Sequence, residues 1–216
     1  MEIKHPVSGQ TPLEELANSF THGVGFVLSI AGFVLLLIFA TSYDKDYAIF
    51  SSLFYGISLM VLYAASTVYH GIQSVRVKSV LQICDHASIY LLIAGSYTPL
   101  ALLMLGGTWG WTLFGLQWGL AVLGITMKVF YTGRFEAFSL MVYLAMGWLI
   151  IFDIGFLFDA LPTTGFVFLV VGGLAYSIGV IFYVWDTLPF NHAIWHLFVL
   201  TGSSFHFFLM LFYVLD

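Results

Sequence analysis

The sequence predicts an all-α integral membrane protein, a seven-transmembrane helix bundle, and three observations carry that prediction. Of 216 residues, 61% are hydrophobic and only 8% charged, which leaves too little polar surface to cover a soluble domain. The mean hydropathy is +1.00. Apolar runs of about 20 residues recur along the chain, each long enough to cross a hydrocarbon core of roughly 30 Å.

Residues 1–15 read as a polar or amphipathic N-terminal segment lying along the interface, ahead of a membrane domain over 16–216. Within that segment Thr11-Pro12-Leu13-Glu14 has the form of a helix start: Thr as N-cap, Pro at the first helical position, an acid in the first turn. The apolar run that follows has no small-residue cleavage site, so it reads as a retained span and not as a signal peptide. Spans are expected at approximately 18–40, 48–73, 82–105, 109–130, 136–158, 164–186 and 191–215. The breaks carry turn residues and charges: Tyr43-Asp44-Lys45-Asp46, Ser74-Val75-Arg76-Val77-Lys78, Gly106-Gly107, Thr132-Gly133-Arg134, Leu161-Pro162 and Leu188-Pro189. Pro99 falls inside span three, where a kink is expected, with Ser96 or Thr98 able to satisfy the freed backbone group. Gly115 and Gly119, with Gly172, Gly173 and Gly179, are expected to be flat surface for close helix contact. Trp109 and Trp111 read as interfacial anchors, and Asp153 as an interfacial acid.

Orientation follows from the basic residues. With the N-terminus in the cytoplasm, the inside segments hold Lys4, Arg76, Lys78, Lys128 and Arg134, and the outside segments only Lys45. This predicts a cytoplasmic N-terminus and an external C-terminus. A net charge of −5, dispersed along the chain, provides no basic footprint for nucleic acid. The single cysteine, Cys84, excludes an intrachain disulfide and a Cys-based zinc finger.

Ionisable groups inside spans are costly and mark interior or wet sites. His192 and His196 open span seven at i, i+4, one turn apart on one helix face, a spacing that lets two imidazoles hold one metal ion. His70 near the inner end of span two and Asp85 near the inner end of span three are expected at the same depth, within a slab about 10 Å thick. Three neutral imidazoles form a catalytic zinc set with an open fourth position, and a nearby carboxylate can act as general base. A lone histidine in such a place is more often a hydrogen-bonded core residue; four groups at one depth favour the metal. Ser66, one turn from His70 on the same face, could orient His70 or contact substrate. His22 is a candidate to support a ligand. His86 points about 100° away from Asp85, so both cannot face one ion. His206 lies about 15 Å beyond His196, too deep to share the ion but able to line the same cavity.

Ser66-x3-His70, Asp85 and His192-x3-His196 together resemble the progestin and adipoQ receptor superfamily, most closely its bacterial hemolysin III branch. Glu15-x2-Asn18-Ser19-x-Thr21-His22-Gly23 and Gly95-Ser96-Tyr97-Thr98-Pro99 look like local signatures of that branch, and the likeness covers all seven spans. The resemblance implies a Zn2+ ion near the cytoplasmic face, held by His70, His192 and His196, with Asp85 near the metal-bound water and the N-terminus inside; the expected location is the cell's inner (plasma) membrane, with the chain crossing it several times. His86 departs from the adiponectin receptors, which tend to have Tyr after the aspartate. The expected function is zinc-dependent hydrolysis of a lipid amide or ester, ceramidase-like, in membrane lipid homeostasis. A non-enzymatic sensor or regulator with structural zinc is one alternative, and a hemolysin-type cytolytic protein is another. The expected partners are the bilayer and a membrane lipid as substrate or ligand.

Overall fold

The computed structural model describes residues 4–43 and 45–216, so part of the expected break at Tyr43-Asp44-Lys45-Asp46 and the first residues of the N-terminal segment lie outside the described residues. The described residues form helices and no strands. In order these are α1 (Pro12–Ser42), α2 (Ala48–Gly71), α3 (Val75–Pro99), α4 (Gly107–Tyr131), α5 (Glu136–Trp148), α6 (Ile154–Ala160), α7 (Thr163–Tyr183) and α8 (Asn191–Leu209). A π-helical turn continues α3 over Leu100–Leu105 and α8 over Met210–Val214, and a 3-10 stretch, Leu149–Asp153, joins α5 to α6 as one span. Seven stretches are long and apolar enough to cross a membrane. The chain is a multi-pass, seven-helix membrane protein.

α1 begins at Pro12, ahead of the apolar run, because its start is capped. The Thr11 hydroxyl accepts from the Glu14 N–H at 3.3 Å, and the Glu14 carboxylate accepts from the Thr11 N–H at 2.9 Å. This reciprocal pair satisfies two of the backbone donors a helix start leaves free. α1 then packs between α2 and α8, which decides its role below.

α3 departs from expectation at its start. Val75–Lys78, expected as part of a solvated break, is already helical, because Lys78 is wholly buried and paired with Glu15 at 2.8 Å. Asp85 therefore stands ten residues along its helix, about three turns from the start and not one. At Pro99 the helix widens into the π turn. Thr98 and Ser96 donate their hydroxyls back to the carbonyls of Ala94 and Ile93, both at 2.9 Å.

Span five is interrupted at mid-length, which nothing in its apolar run announces. The Tyr97 hydroxyl fills the break, donating to the Gly147 carbonyl at 2.7 Å and accepting from the Ile150 N–H at 2.8 Å. Nearby, Trp109 donates its indole N–H to Asp153 at 2.8 Å, joining the start of α4 to the 3-10 stretch.

The glycines divide. A methyl group added at Gly172 would lie 2.2 Å from His206, and one at Gly179 2.7 Å from Phe198, so both permit close contact of α7 with α8. Gly115, Gly119 and Gly173 have no neighbour within 4 Å of such a methyl. The expected packing role does not hold for these three, because Gly115 and Gly119 face outward from the bundle and Gly173 borders an internal cavity. The close approaches on α4 are made by Gly110, where a Cβ would lie 2.1 Å from the Ala101 carbonyl oxygen, and by Gly124, where it would lie 2.2 Å from the Tyr90 ring.

Candidate metal centre

His70 near the end of α2 and His192 and His196 at the start of α8 converge. Each offers a ring nitrogen, and the three nitrogens lie within 4.8 Å of one another. Their ring centroids form a triangle with sides of 4.6, 5.0 and 5.1 Å. His70 and His196 are buried and His192 is half-buried. These three can reach one metal ion.

Two of the rings are oriented from α1. The Nδ1–H of His70 donates to Glu15 Oε2 at 2.7 Å, since a carboxylate only accepts, and this leaves Nε2 as the nitrogen turned toward the trio. That Nε2 is buried and has no hydrogen-bond partner among the described residues, which suits a metal-binding nitrogen. His196 follows the same logic. Its Nδ1 donates to the carbonyl of Asn18 at 3.2 Å and lies 3.1 Å from the Thr21 hydroxyl. α1 contributes no ligand to the trio, yet it aligns ligands from both helices that flank it.

The start of α8 is held across the fold. Phe190, immediately before it, has a left-handed backbone with φ 57°, a conformation that costs a non-glycine residue about 1–2 kcal/mol. Its N–H donates to Glu14 at 3.1 Å. The same carboxyl group that caps α1 thus fixes the turn that delivers His192 and His196.

A large, mostly apolar cavity runs inward from the trio. Asp85, Ser66, His22, His86, His192 and His196 line its upper part, and His206 with Leu100, Ile150 and Leu169 lines the rest. A second, more polar cavity is lined by Ser8, Gln10, Tyr69, Gln82, Asp186 and Asn191 together with His70 and His192. His86, Glu136, Leu140, Tyr183 and His192 belong to both walls. The histidine trio stands where the two spaces meet.

The remaining candidates fall into separate places. Ser66 is buried, and its hydroxyl has no partner among the described residues; the group that orients His70 is Glu15. His22 lies against His196. His86 shares the cavity with Asp85 but turns Nδ1 toward Glu136 at 3.6 Å. The imidazole of His206 sits 3.1 Å from the Leu169 carbonyl. Sequence reasoning left Glu15, Asn18, Thr21, Lys78 and Glu136 out of the site. The spacing Glu15-x2-Asn18-x2-Thr21, one face of one helix, was the available signal for the first three.

Comparison with known proteins identifies the family. The sequence profile of a family described as "Haemolysin-III related" matches residues 10–207. "Hemolysin-3" of Bacillus cereus is 48% identical across 94% of this chain and 92% of its own length. "Hemolysin-3 homolog" of Bacillus subtilis (strain 168) is 48% identical across 93% of this chain and 94% of its own length. A human relative, "Monocyte to macrophage differentiation factor", is 31% identical across 96% of this chain and 89% of its own length. With the profile covering nearly every helix and two relatives matched almost end to end, the chain belongs to the haemolysin III-related family.

Proposed function

We propose that the protein is a zinc-dependent membrane hydrolase that cleaves a lipid amide or ester. The observation that carries this is the position of the trio, at the junction of an apolar cavity and a polar one. An acyl lipid has its scissile bond at the same kind of boundary.

The donor set suits zinc. Three neutral imidazoles, two with Nδ1 held by acceptors on α1, are a usual catalytic ligand set. Zinc in such a site polarises an acyl carbonyl and makes water a nucleophile near neutral pH. Asp85, on the cavity wall, takes the proton of the attacking water as general base. Ser66, on the same wall and without a partner among the described residues, is free to donate to the substrate's carbonyl oxygen. The apolar lining admits the acyl chain. A chain arriving from the bilayer passes from one apolar medium to another, so that lining supplies little affinity, and selectivity falls to the polar groups at its upper end. The five-to-one distribution of basic residues supports a cytoplasmic placement of this end of the bundle, in the inner membrane.

The test uses purified protein, zinc-loaded and chelated, incubated with total membrane lipid and followed by mass spectrometry. Chelator-sensitive loss of one acyl lipid with release of its fatty acid is expected. No turnover of any lipid by the loaded protein would overturn the hydrolase. The name of the Bacillus relatives favours a second reading, lysis of a target membrane. Chelation separates the two, since lysis that persists without metal is independent of the centre.

A further inference from the structure

Resting on the metal centre above, we propose that Glu15, held in place by the buried Lys78, is the positioning residue that makes His70 a metal ligand. The Glu15 carboxylate uses its two oxygens for different ends. Oε2 accepts from His70 Nδ1 at 2.7 Å, and Oε1 meets Lys78 Nζ at 2.8 Å. The side chains of Glu15, His70 and Lys78 are 1%, 1% and 0% exposed. Neither charge has access to water, and each is neutralised by the other.

Lys78 has a second set of partners. Its ammonium donates to the backbone carbonyls of Tyr69 at 2.8 Å, Ile72 at 3.2 Å and His70 at 3.4 Å, among the acceptors left free where α2 ends. One cation therefore caps the helix that carries His70 and pins the carboxylate that holds the His70 ring. The backbone and the imidazole of the same residue are both referenced to it.

Stability alone does not account for the arrangement. A buried ion pair can be replaced by apolar residues of similar volume with little loss, or even a gain, because desolvation offsets its attraction. What an apolar pair cannot do is accept the Nδ1 proton. Without that acceptor the ring is free to flip or to exchange tautomers, and the Nε2 lone pair is no longer held toward the ion. Groups in this relation to a metal-binding histidine affect metal affinity by about 10–100-fold.

The experiment compares the full-length parent protein, Glu15→Leu/Lys78→Met and Glu15→Asp in detergent, loaded with Co2+ and titrated against a chelator. Co2+ absorption reports the ligand geometry, and thermal melting is recorded on metal-free samples. The double variant removes both charges and the Nδ1 acceptor together, so it is expected to melt near the parent when metal-free yet to bind about 10–100-fold more weakly with an altered Co2+ spectrum. Glu15→Asp keeps the charge for Lys78 but withdraws the carboxylate by one methylene, and the same loss of affinity is expected. Parental affinity and spectrum in either variant would overturn the positioning role while leaving the metal centre intact. A parent protein that takes up no Co2+ would instead overturn the centre, and the positioning role with it.

Discussion

His22 lies flat against His196, with ring centroids 3.4 Å apart and planes 10° from parallel. The same imidazole meets the Tyr63 ring nearly edge-on at 5.1 Å. Both of its nitrogens are buried and without a hydrogen-bond partner among the described residues. Its contribution on this geometry is as a wall that keeps the His196 ring from tipping. His22→Phe preserves the stack and removes the unpaired polar atoms, whose burial costs about 1–3 kcal/mol. It is expected to retain the metal and to melt no lower than the parent. His22→Ala leaves a void and is expected to lower both the melting temperature and metal affinity. Metal content and melting measured on the two variants decide this, and a Phe variant that loses its metal would mean that the imidazole does more than stack.

Metal removal should be felt by the fold, because the trio ties α2 to α8 across α1. Purified protein is expected to hold about one zinc per chain, and chelation to lower its melting temperature. His192→Ala or His196→Ala should remove most of the metal, since either leaves two imidazoles. Full zinc occupancy in the double variant would refute the assignment.

The glycine contrast gives a packing test independent of the metal. Gly124→Ala sets a methyl 2.2 Å from Tyr90, and such overpacking typically costs about 1–3 kcal/mol. Gly115→Ala has nothing within 4 Å and is expected to be neutral or slightly stabilising, given the better helix propensity of alanine. Equal melting shifts in the two variants would contradict the outward placement of Gly115.

The expectation of a cytoplasmic N-terminus rests on the basic residues, and the structure changes how two of them count. Lys78 and Lys128 are buried and paired with Glu15 and Glu136, at 2.8 and 2.7 Å. With both removed, Lys4, Arg76 and Arg134 still oppose Lys45 alone. Reporter fusions at the two termini are expected to report opposite sides, with the N-terminus inside. An external N-terminus would reverse the side on which the centre faces water.

What the sequence made legible follows from what is local. The His192/His196 pair, the cap at Thr11 and the length of the spans each depend on residues within a turn or on simple hydropathy. Lys78 was misread because its charge looks like a loop residue unless Glu15, 63 positions away, is known to meet it. The 3-10 break in span five depends on the Tyr97 hydroxyl, supplied by another helix. Small residues read as packing surface on any face, and only the placement of α4 in the bundle shows that Gly115 and Gly119 face outward while Gly124 faces Tyr90. The candidate histidines were within reach of spacing arguments; the groups that orient them are tertiary.

Asp85 separates an enzyme from a protein whose metal is structural. It lines the cavity beside His192 and His196 but is not one of the three groups whose donor atoms converge. Asp85→Asn is nearly isosteric and keeps all three imidazoles, so zinc should stay bound, with at most a roughly tenfold loss of affinity from the missing negative charge. Catalysis should fall by about 10²–10⁴-fold, the usual contribution of a positioned general base. A ligand would behave otherwise: its removal would release metal and destabilise the bundle together, leaving no variant that is folded, metallated and inactive. Zinc content, melting temperature and lipid turnover are therefore measured on one Asp85→Asn preparation. Undiminished turnover with zinc retained would exclude Asp85 as the base, and loss of zinc alongside activity would make it a fourth ligand.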